Sequence, residues 1–334
     1  MSAATGVIGS RQRGRADELL IWARRNTWTL ALLGLAIVFF GITKALQPTY
    51  SAGELQLFAI SVLPIAFATV AQAIVVISGG IDLSVGSMMA LTSVGSAVLM
   101  MGQSDEVAVV VVLATLLLGV LLGVINGGLI VLTKVPDIVV TLAMSFVWAG
   151  AALLVLHTPG GGAAPWLMAS ISGAFLSEWL PRSLLVLAVI VGVVWLPLRR
   201  SSAGLSLYAI GSDRLAAFRS GVPVGPTKLV AYGLTGLFSA LGGLSLTAST
   251  GIGSPVPGSY TIQSIAAVVL GGVSLAGGRG GLLGPIIAVV VLAFIRIDLT
   301  FLGVNPNLST MIQGVILIGV VMFGSLVTLR RGRA

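Results

Sequence analysis

QAIVVISGGIDLSVGSMMALTSVGSA, running from Gln72 to Ala97, decides how this chain is read. An apolar run of helical character stops at Ser78-Gly79-Gly80, carries one acid at Asp82 and resumes behind Ser84. Apolar flanks on both sides put Asp82 at or inside the edge of a hydrocarbon layer, where an ionisable group faces a protein interior, a water-lined path or the interface. Gly79 and Gly80 let the backbone leave the helix, which is tolerable at membrane depth only where protein or water satisfies the freed amides. Two readings stand side by side. One is a turn between hairpinned helices, with Asp82 and Ser84 capping the second; the other is part of a substrate path.

Around that stretch the chain is 57% hydrophobic and 8% charged over 334 residues, whereas soluble domains carry about 25% charged residues. An all-α polytopic membrane protein is expected. The net charge of +8 does not mark a nucleic-acid partner, because the basic residues sit in short stretches between apolar runs, as membrane orientation signals do. With no cysteine there is no disulfide, thiolate nucleophile or thiolate metal site. Residues 1–27 read as a cytosolic tail rather than a cleavable signal, since their basic part is long and no small-residue cleavage site precedes the apolar run.

A span needs about 20 largely apolar residues. Ten segments fit, near 28–46, 55–76, 85–101, 107–131, 137–156, 181–198, 228–248, 263–276, 282–299 and 307–328. The eighth is too short for a regular crossing, so it tilts, begins within the preceding loop or forms one arm of a broken element. Ten crossings put fifteen of the 18 basic residues on one side, with only Lys44, Arg182 and Arg296 elsewhere. Both termini, including the tail at 329–334, are therefore expected in the cytosol.

Residues 157–180 are then external, and their few charges suit a segment that dips back or lies flat with Trp166 and Trp179 at the interface. Residues 199–227 are cytosolic and hold an amphipathic stretch. Ser212 is positioned to cap a short helix through Phe218, with Leu215 and Phe218 on one side and Arg214 on another. That helix either lies on headgroups or docks a cytosolic partner. No Walker loop, zinc spacing or nucleophile triad is present, and GGRGG at 277–281 lacks the Gly-Lys-Ser/Thr that follows in a phosphate loop. His157 has no second ligand candidate. Gly236, Gly242 and Gly243, with Ala240 between, offer a small-residue surface for close helix packing.

GGIDLSVGS at 79–87 resembles the signature of permeases from bacterial ATP-binding-cassette importers of the ribose, xylose, arabinose and galactose branch. NGGLI at 126–130, PDIVVTLAMSFVWAG at 136–150, LYAIGSDRLAAFRSGV at 207–222 and SIAAVVLGGVSLAGGRGGLLG at 264–284 resemble further stretches of that family in the same order. The resemblance implies a type II importer-like permease domain over 28–328, in a bacterial cell (inner) membrane, with no catalytic, cofactor or metal site of its own. It implies a translocation path for a monosaccharide or related polyol, delivered by an extracytoplasmic sugar-binding protein. ATP and Mg would be bound by a cytosolic ATPase with two nucleotide-binding domains, often fused. Gly79, Gly80, Asp82, Ser84 and Asn126 would belong to the path or its structural signature. Gly211, Ser212, Arg214, Leu215, Phe218 and Arg219 would couple to the ATPase, and Gly271, Gly272, Gly277 and Gly278 would form the glycine-rich segment.

Two stretches depart from the pattern. Thr261-Ile262-Gln263 stands where many members have Glu-Leu-Asp, and Arg296-Ile297-Asp298-Leu299 where members often have an Asn-Gly-Leu turn. A homodimer is expected, with a heterodimer in play because unlike permeases can each lose features the partner supplies. Membrane lipid is the remaining partner. Two functions of other classes remain open: a secondary transporter using Asp82, Asp137 or Asp298 as its coupling acid, and a membrane scaffold that transports nothing.

Overall fold

A capping box between Ser51 and Glu54 starts the most deeply buried of the long apolar helices. The computed structural model describes residues 26–256 and 258–331. In chain order these form α1 (Thr27–Leu46), α2 (Ala52–Ile77), α3 (Val85–Met100), α4 (Asp105–Thr133), α5 (Asp137–Val155), α6 (Pro165–Ile171), a hairpin of β1 (Ala174–Phe175) and β2 (Ser177–Pro181), α7 (Arg182–Arg200), α8 (Ser202–Ser212), α9 (Arg214–Arg219), α10 (Val224–Thr250), α11 (Tyr260–Leu270), α12 (Leu283–Phe301) and α13 (Pro306–Arg331). The expected tails at 1–27 and 329–334 lie for the most part outside the described residues.

Seven helices, α1, α2, α4, α5, α7, α10 and α12, are long and apolar enough to cross a membrane, so the expected ten become seven clear spans among the described residues. The reason is length. At 16 and 11 residues, α3 and α11 rise only about 24 and 16 Å, short of a hydrocarbon core of about 30 Å. The tenth expected segment lies on α13, much of whose side-chain detail is outside the described residues.

Burial separates the centre from the rim. The apolar window of α2 is 89% buried and that of α10 67%, against 11% for α1 and α5. Apolar residues on every side of α2, from Val62 through Ile77, join the main core cluster with Phe238, Val268 and Val289, which is how a helix reads when protein surrounds it. Close approach of α10 to its neighbours follows from small residues. A Cβ on Gly236 would overlap the carbonyl of Gly119, and one on Gly243 would overlap the Thr92 hydroxyl, so the small-residue surface expected from Gly236, Gly242 and Gly243 is a packing surface.

The segment at 157–180 is neither flat throughout nor a simple loop. Its first part is pinned to the end of α3 and the turn after α10, by Gly162 N–H on Ala97 O (2.9 Å) and a two-way bridge between Gly160 and Gly253. Trp166 packs with Met100, Ala108 and Leu244 rather than lying at an interface. The hairpin lies along α2, where Gln56 Nε2 donates to Glu178 O at 2.8 Å, and the Lys44 ammonium stands 5.8 Å from the Trp179 ring.

Candidate functional site: the break between α2 and α3

α2 ends at Ile77 and α3 begins at Val85, leaving Ser78 to Ser84 as the break expected near 78–86. Asp82 is fully buried there. Its Oδ1 accepts from the Ser84 N–H at 2.8 Å and the Ser84 hydroxyl at 2.6 Å. Ser84 holds the N-cap position of α3 without a side-chain cap bond, and Asp82 bonds Ser84 itself rather than an amide of the helix, so the capping expected of the pair is not made; the Gly86 N–H in the first turn donates instead to Thr261 Oγ1 at 2.9 Å. Ser84 Oγ in turn accepts from Asn126 Nδ2 at 2.7 Å, and Asn126 Oδ1 accepts from Trp148 Nε1 at 3.2 Å. Asp82, Ser84 and Asn126 therefore form one buried chain of bonds tying α3 to α4 and α5. Asp82 Oδ2 has no partner. The backbone of Asp82 is held from α2: with its carboxamide turned to satisfy both groups, Gln72 donates to Asp82 O at 2.9 Å and accepts from Asp82 N at 3.3 Å. Leu83 N–H donates to Thr141 Oγ1 at 3.1 Å, anchoring the break to the first turn of α5.

Beside it lies an ion pair that the sequence reading missed. Lys228, 3% exposed in the first turns of α10, pairs with Asp137 Oδ2 at the start of α5, and Tyr232 OH donates to the same oxygen at 2.9 Å. A Cβ on Gly80 would collide with that oxygen and stand 2.9 Å from the Tyr232 hydroxyl. Gly80 is thus glycine because charge is packed against its Cα. Lys228 had been counted as a loop charge marking orientation; a lone lysine and a lone acid, each at the start of an apolar segment, was the available signal.

The glycines of three distant stretches meet at this end of the molecule. Gly79 adopts φ +76° and Gly277 φ +85°; a Cβ on Gly79 would stand 3.3 Å from Gly211 Cα, and one on Gly277 2.8 Å from Gly79 Cα. Gly278 N–H donates to Ile77 O at 2.9 Å, and Tyr208 OH on α8 donates to Gly280 O at 2.9 Å. Gly211, Gly277 and Gly278 are therefore in backbone contact with the end of α2 or the Gly79 turn after it, and Ser212 stands against Gly278. Gly271 and Gly272 sit apart from that junction, Gly271 against Gly284 and Pro285 and Gly272 under the Trp28 ring.

Ser212 is not the cap of the short amphipathic helix. It ends α8, donating to Tyr208 O at 2.9 Å, while Asp213 Oδ1 accepts from the N–H groups of Leu215 and Ala216 at 2.9 Å each and caps α9. An ionised side chain accepts from two amides better than a hydroxyl does. On α9, Leu215 is 57% and Phe218 67% exposed, while Ala217 between them is buried. Arg214 and Arg219 are exposed at its two ends. These four residues do not join the junction but stand outside it.

Of the other acids considered for ion coupling, Asp137 is paired with Lys228, and Asp298 Oδ1 accepts from Thr43 Oγ1 at 2.6 Å, joining α12 to α1. Both are accounted for as ties between helices. Among the described residues no group of three or more His, Cys, Asp or Glu is placed to hold a metal ion.

A bundle of apolar helices, seven of them long enough to cross a membrane, broken at a buried acid and backed at one end by a short helix with an exposed apolar face, defines a multi-pass membrane protein. The family described as "Branched-chain amino acid transport system / permease component" matches residues 55–321, and the chain belongs to it, within the branch of sugar-type ATP-binding-cassette importer permeases that the motifs resemble. It is 35% identical over 314 residues, covering 92% of this chain and 94% of the relative, to the "Autoinducer 2 import system permease protein LsrD" of Escherichia coli (strain K12) and of Shigella flexneri. No solved structure matches. The chain is a permease subunit of an importer, forms a path for a small molecule and is not itself an enzyme; a secondary transporter or a scaffold is not what this family describes.

Proposed function

We propose that the chain is one of two permease subunits forming the path for a monosaccharide or related polyol, delivered by an extracytoplasmic binding protein and driven by a cytosolic ATPase that binds ATP and Mg. One observation carries this reading: α8 and α9, the segment presenting Leu215 and Phe218, are joined by Gly211 to the end of the helix that carries the Asp82 break. A surface helix that only rested on headgroups would have no need of backbone contact with the interior. In this reading the ATPase docks on Leu215 and Phe218 between Arg214 and Arg219, and its movement reaches the break through the Gly79, Gly211 and Gly277 contacts.

Residues 78–80, 211–212 and 277–280 gather at one end of the bundle and residues 160–163 and 251–253 at the other, and the basic residues of 199–228 with Arg279 belong to the first end. The first end is then cytosolic, as are both termini. That relatives are named for autoinducer 2 import supports that solute as an alternative cargo to a sugar. Purification of the chain in detergent is expected to bring down the ATPase, and vesicle uptake is expected to follow ATP. Uptake that collapses with an uncoupler at constant ATP would overturn the proposal.

A further inference from the structure

A cavity of about 680 Å³ opens between α2, α11, α12 and α13, away from the break but sharing α11 with it. Its walls are mostly apolar, from Phe58, Val62 and Ile65 on α2 to Leu292 and Ala293 on α12. From Glu54, in the first turn of α2, to Ile65 the lining extends about 16 Å along the helix, so the cavity runs from the end expected to be external well into the bilayer. Its floor is the start of α11, including Ser259 and Gln263. The other side of that floor touches the start of α3 and the break: Thr261 Oγ1 accepts from Gly86 N–H at 2.9 Å and donates to Leu83 O at 3.5 Å.

Three polar groups on the lining lack partners. Tyr50 is 1% exposed and its hydroxyl makes no hydrogen bond; Gln313 Nε2 is buried and makes none. The Arg296 guanidinium has no carboxylate partner among the described residues. Burial, then the Glu54 and Asp298 carboxylates, pushes the Tyr50 hydroxyl up to about 12, so it stays protonated and able to donate at every working pH. Buried polar groups are ordinarily bonded, so the Tyr50 hydroxyl and Gln313 Nε2 call for a ligand that brings acceptors, and the exposed Arg296 guanidinium adds a cation to the same wall. A hydrocarbon chain filling the space would leave both buried donors unsatisfied. Gln263 and Arg296, moreover, come from the two stretches where this chain departs from the family pattern, and both line this one cavity.

We propose that this cavity is the outward-facing solute compartment of the permease, taking a compact, oxygen-rich solute of sugar size whose acceptors pair with Arg296, Gln313 and Tyr50. It rests on the importer reading above and adds where the solute sits and which residues select it. Pockets for small molecules hold about 300–1,000 Å³, so the volume fits one sugar with its water. Mostly apolar walls suit a site that must release its cargo, recognition being left to the binding protein.

The absence of cysteine makes the test direct. Single cysteines replacing Gln263 and Ala266, in the chain assembled with its importer partners, are exposed from outside to the impermeant anion 2-sulfonatoethyl methanethiosulfonate. We expect modification within about tenfold of a Ser177→Cys control on the hairpin, and at least about a hundredfold faster than a Leu117→Cys control on the lipid face of α4. Rates matching Leu117→Cys at both positions would mean a lipid-filled groove and overturn the proposal. In parallel, uptake of labelled D-ribose, D-xylose, L-arabinose and D-galactose is measured for Arg296→Met and Arg296→Lys at equal membrane level. Arg296→Met should lose at least about tenfold of the solute carried and Arg296→Lys should keep part of it; unchanged uptake in Arg296→Met would reject Arg296 as a selecting residue. A native importer that carries none of the four would count against the sugar cargo proposed above, while the labelling rates would still decide the cavity.

Discussion

Asp82 binds Ser84 through one oxygen and nothing through the other. Asn can keep both bonds to Ser84 through its carbonyl, whereas Ala removes them and leaves a buried amide and hydroxyl short of an acceptor, at about 1–3 kcal/mol each. Asp82→Asn is therefore expected to keep most of its uptake per folded permease, and Asp82→Ala to lose much of its folded yield. Equal, near-total loss of uptake in both at normal yield would instead revive a role for the charge itself. At Lys228 the expectation differs, because removing one member of a buried pair costs about 3–5 kcal/mol. Lys228→Met should lower thermal stability sharply, and adding Asp137→Asn should restore much of it; a double variant no more stable than Lys228→Met would show that the pair is not what holds α5 to α10. Asp82 was legible in the sequence because an acid in an apolar run has few permitted places. Lys228 was not, since a lysine at the edge of an apolar segment reads equally well as a solvated orientation marker until its partner is seen.

The short helix α9 presents Leu215 and Phe218 outward. Phe218→Asp should leave the fold intact and place an unpaired charge in the proposed ATPase contact, where desolvation makes it costly. Loss of about tenfold or more in ATPase retention, in step with uptake, is expected by co-purification; full ATP-dependent uptake would show that the face meets headgroups alone. Existence of this helix and its apolar side could be read from the spacing of Leu215 and Phe218. Its cap could not, because Ser212 and Asp213 are both capping residues in sequence, and only the end of α8 at Ser212 decides between them. The same limit applied to α3 and α11: their apolarity was visible, but how far each rises depends on where neighbouring loops enter, and Thr261 meeting Gly86 fixes that through tertiary contact.

Across the whole molecule, the alternation of apolar segments and basic stretches assigns ends to loops before any coordinates. On the proposed orientation, a cysteine at Ser212, exposed on the surface, should resist an impermeant thiol reagent in intact cells and react in inverted vesicles. Labelling in intact cells would reverse the orientation. What no linear pattern revealed is which loops touch. Gly79, Gly211 and Gly277 lie in stretches that read separately as a break, a docking loop and a glycine-rich turn, and nothing in their spacing announces a meeting, because backbone contact leaves no side-chain signature.

That meeting has a genetic corollary. Every single-nucleotide missense change of a glycine codon introduces a Cβ, and at Gly211 such an atom would overlap the Ile77 carbonyl and stand 2.6 Å from Gly278 N. In a saturation library selected for uptake, Gly79, Gly211 and Gly277 should appear as empty columns, whereas Gly34, Gly128 and Gly192, which face open space, should fill with alanine and serine. Natural drift in this lineage would then be barred at the junction even while it remodels Gln263 and Arg296, so that cargo preference could diverge between descendants that still share interchangeable motors.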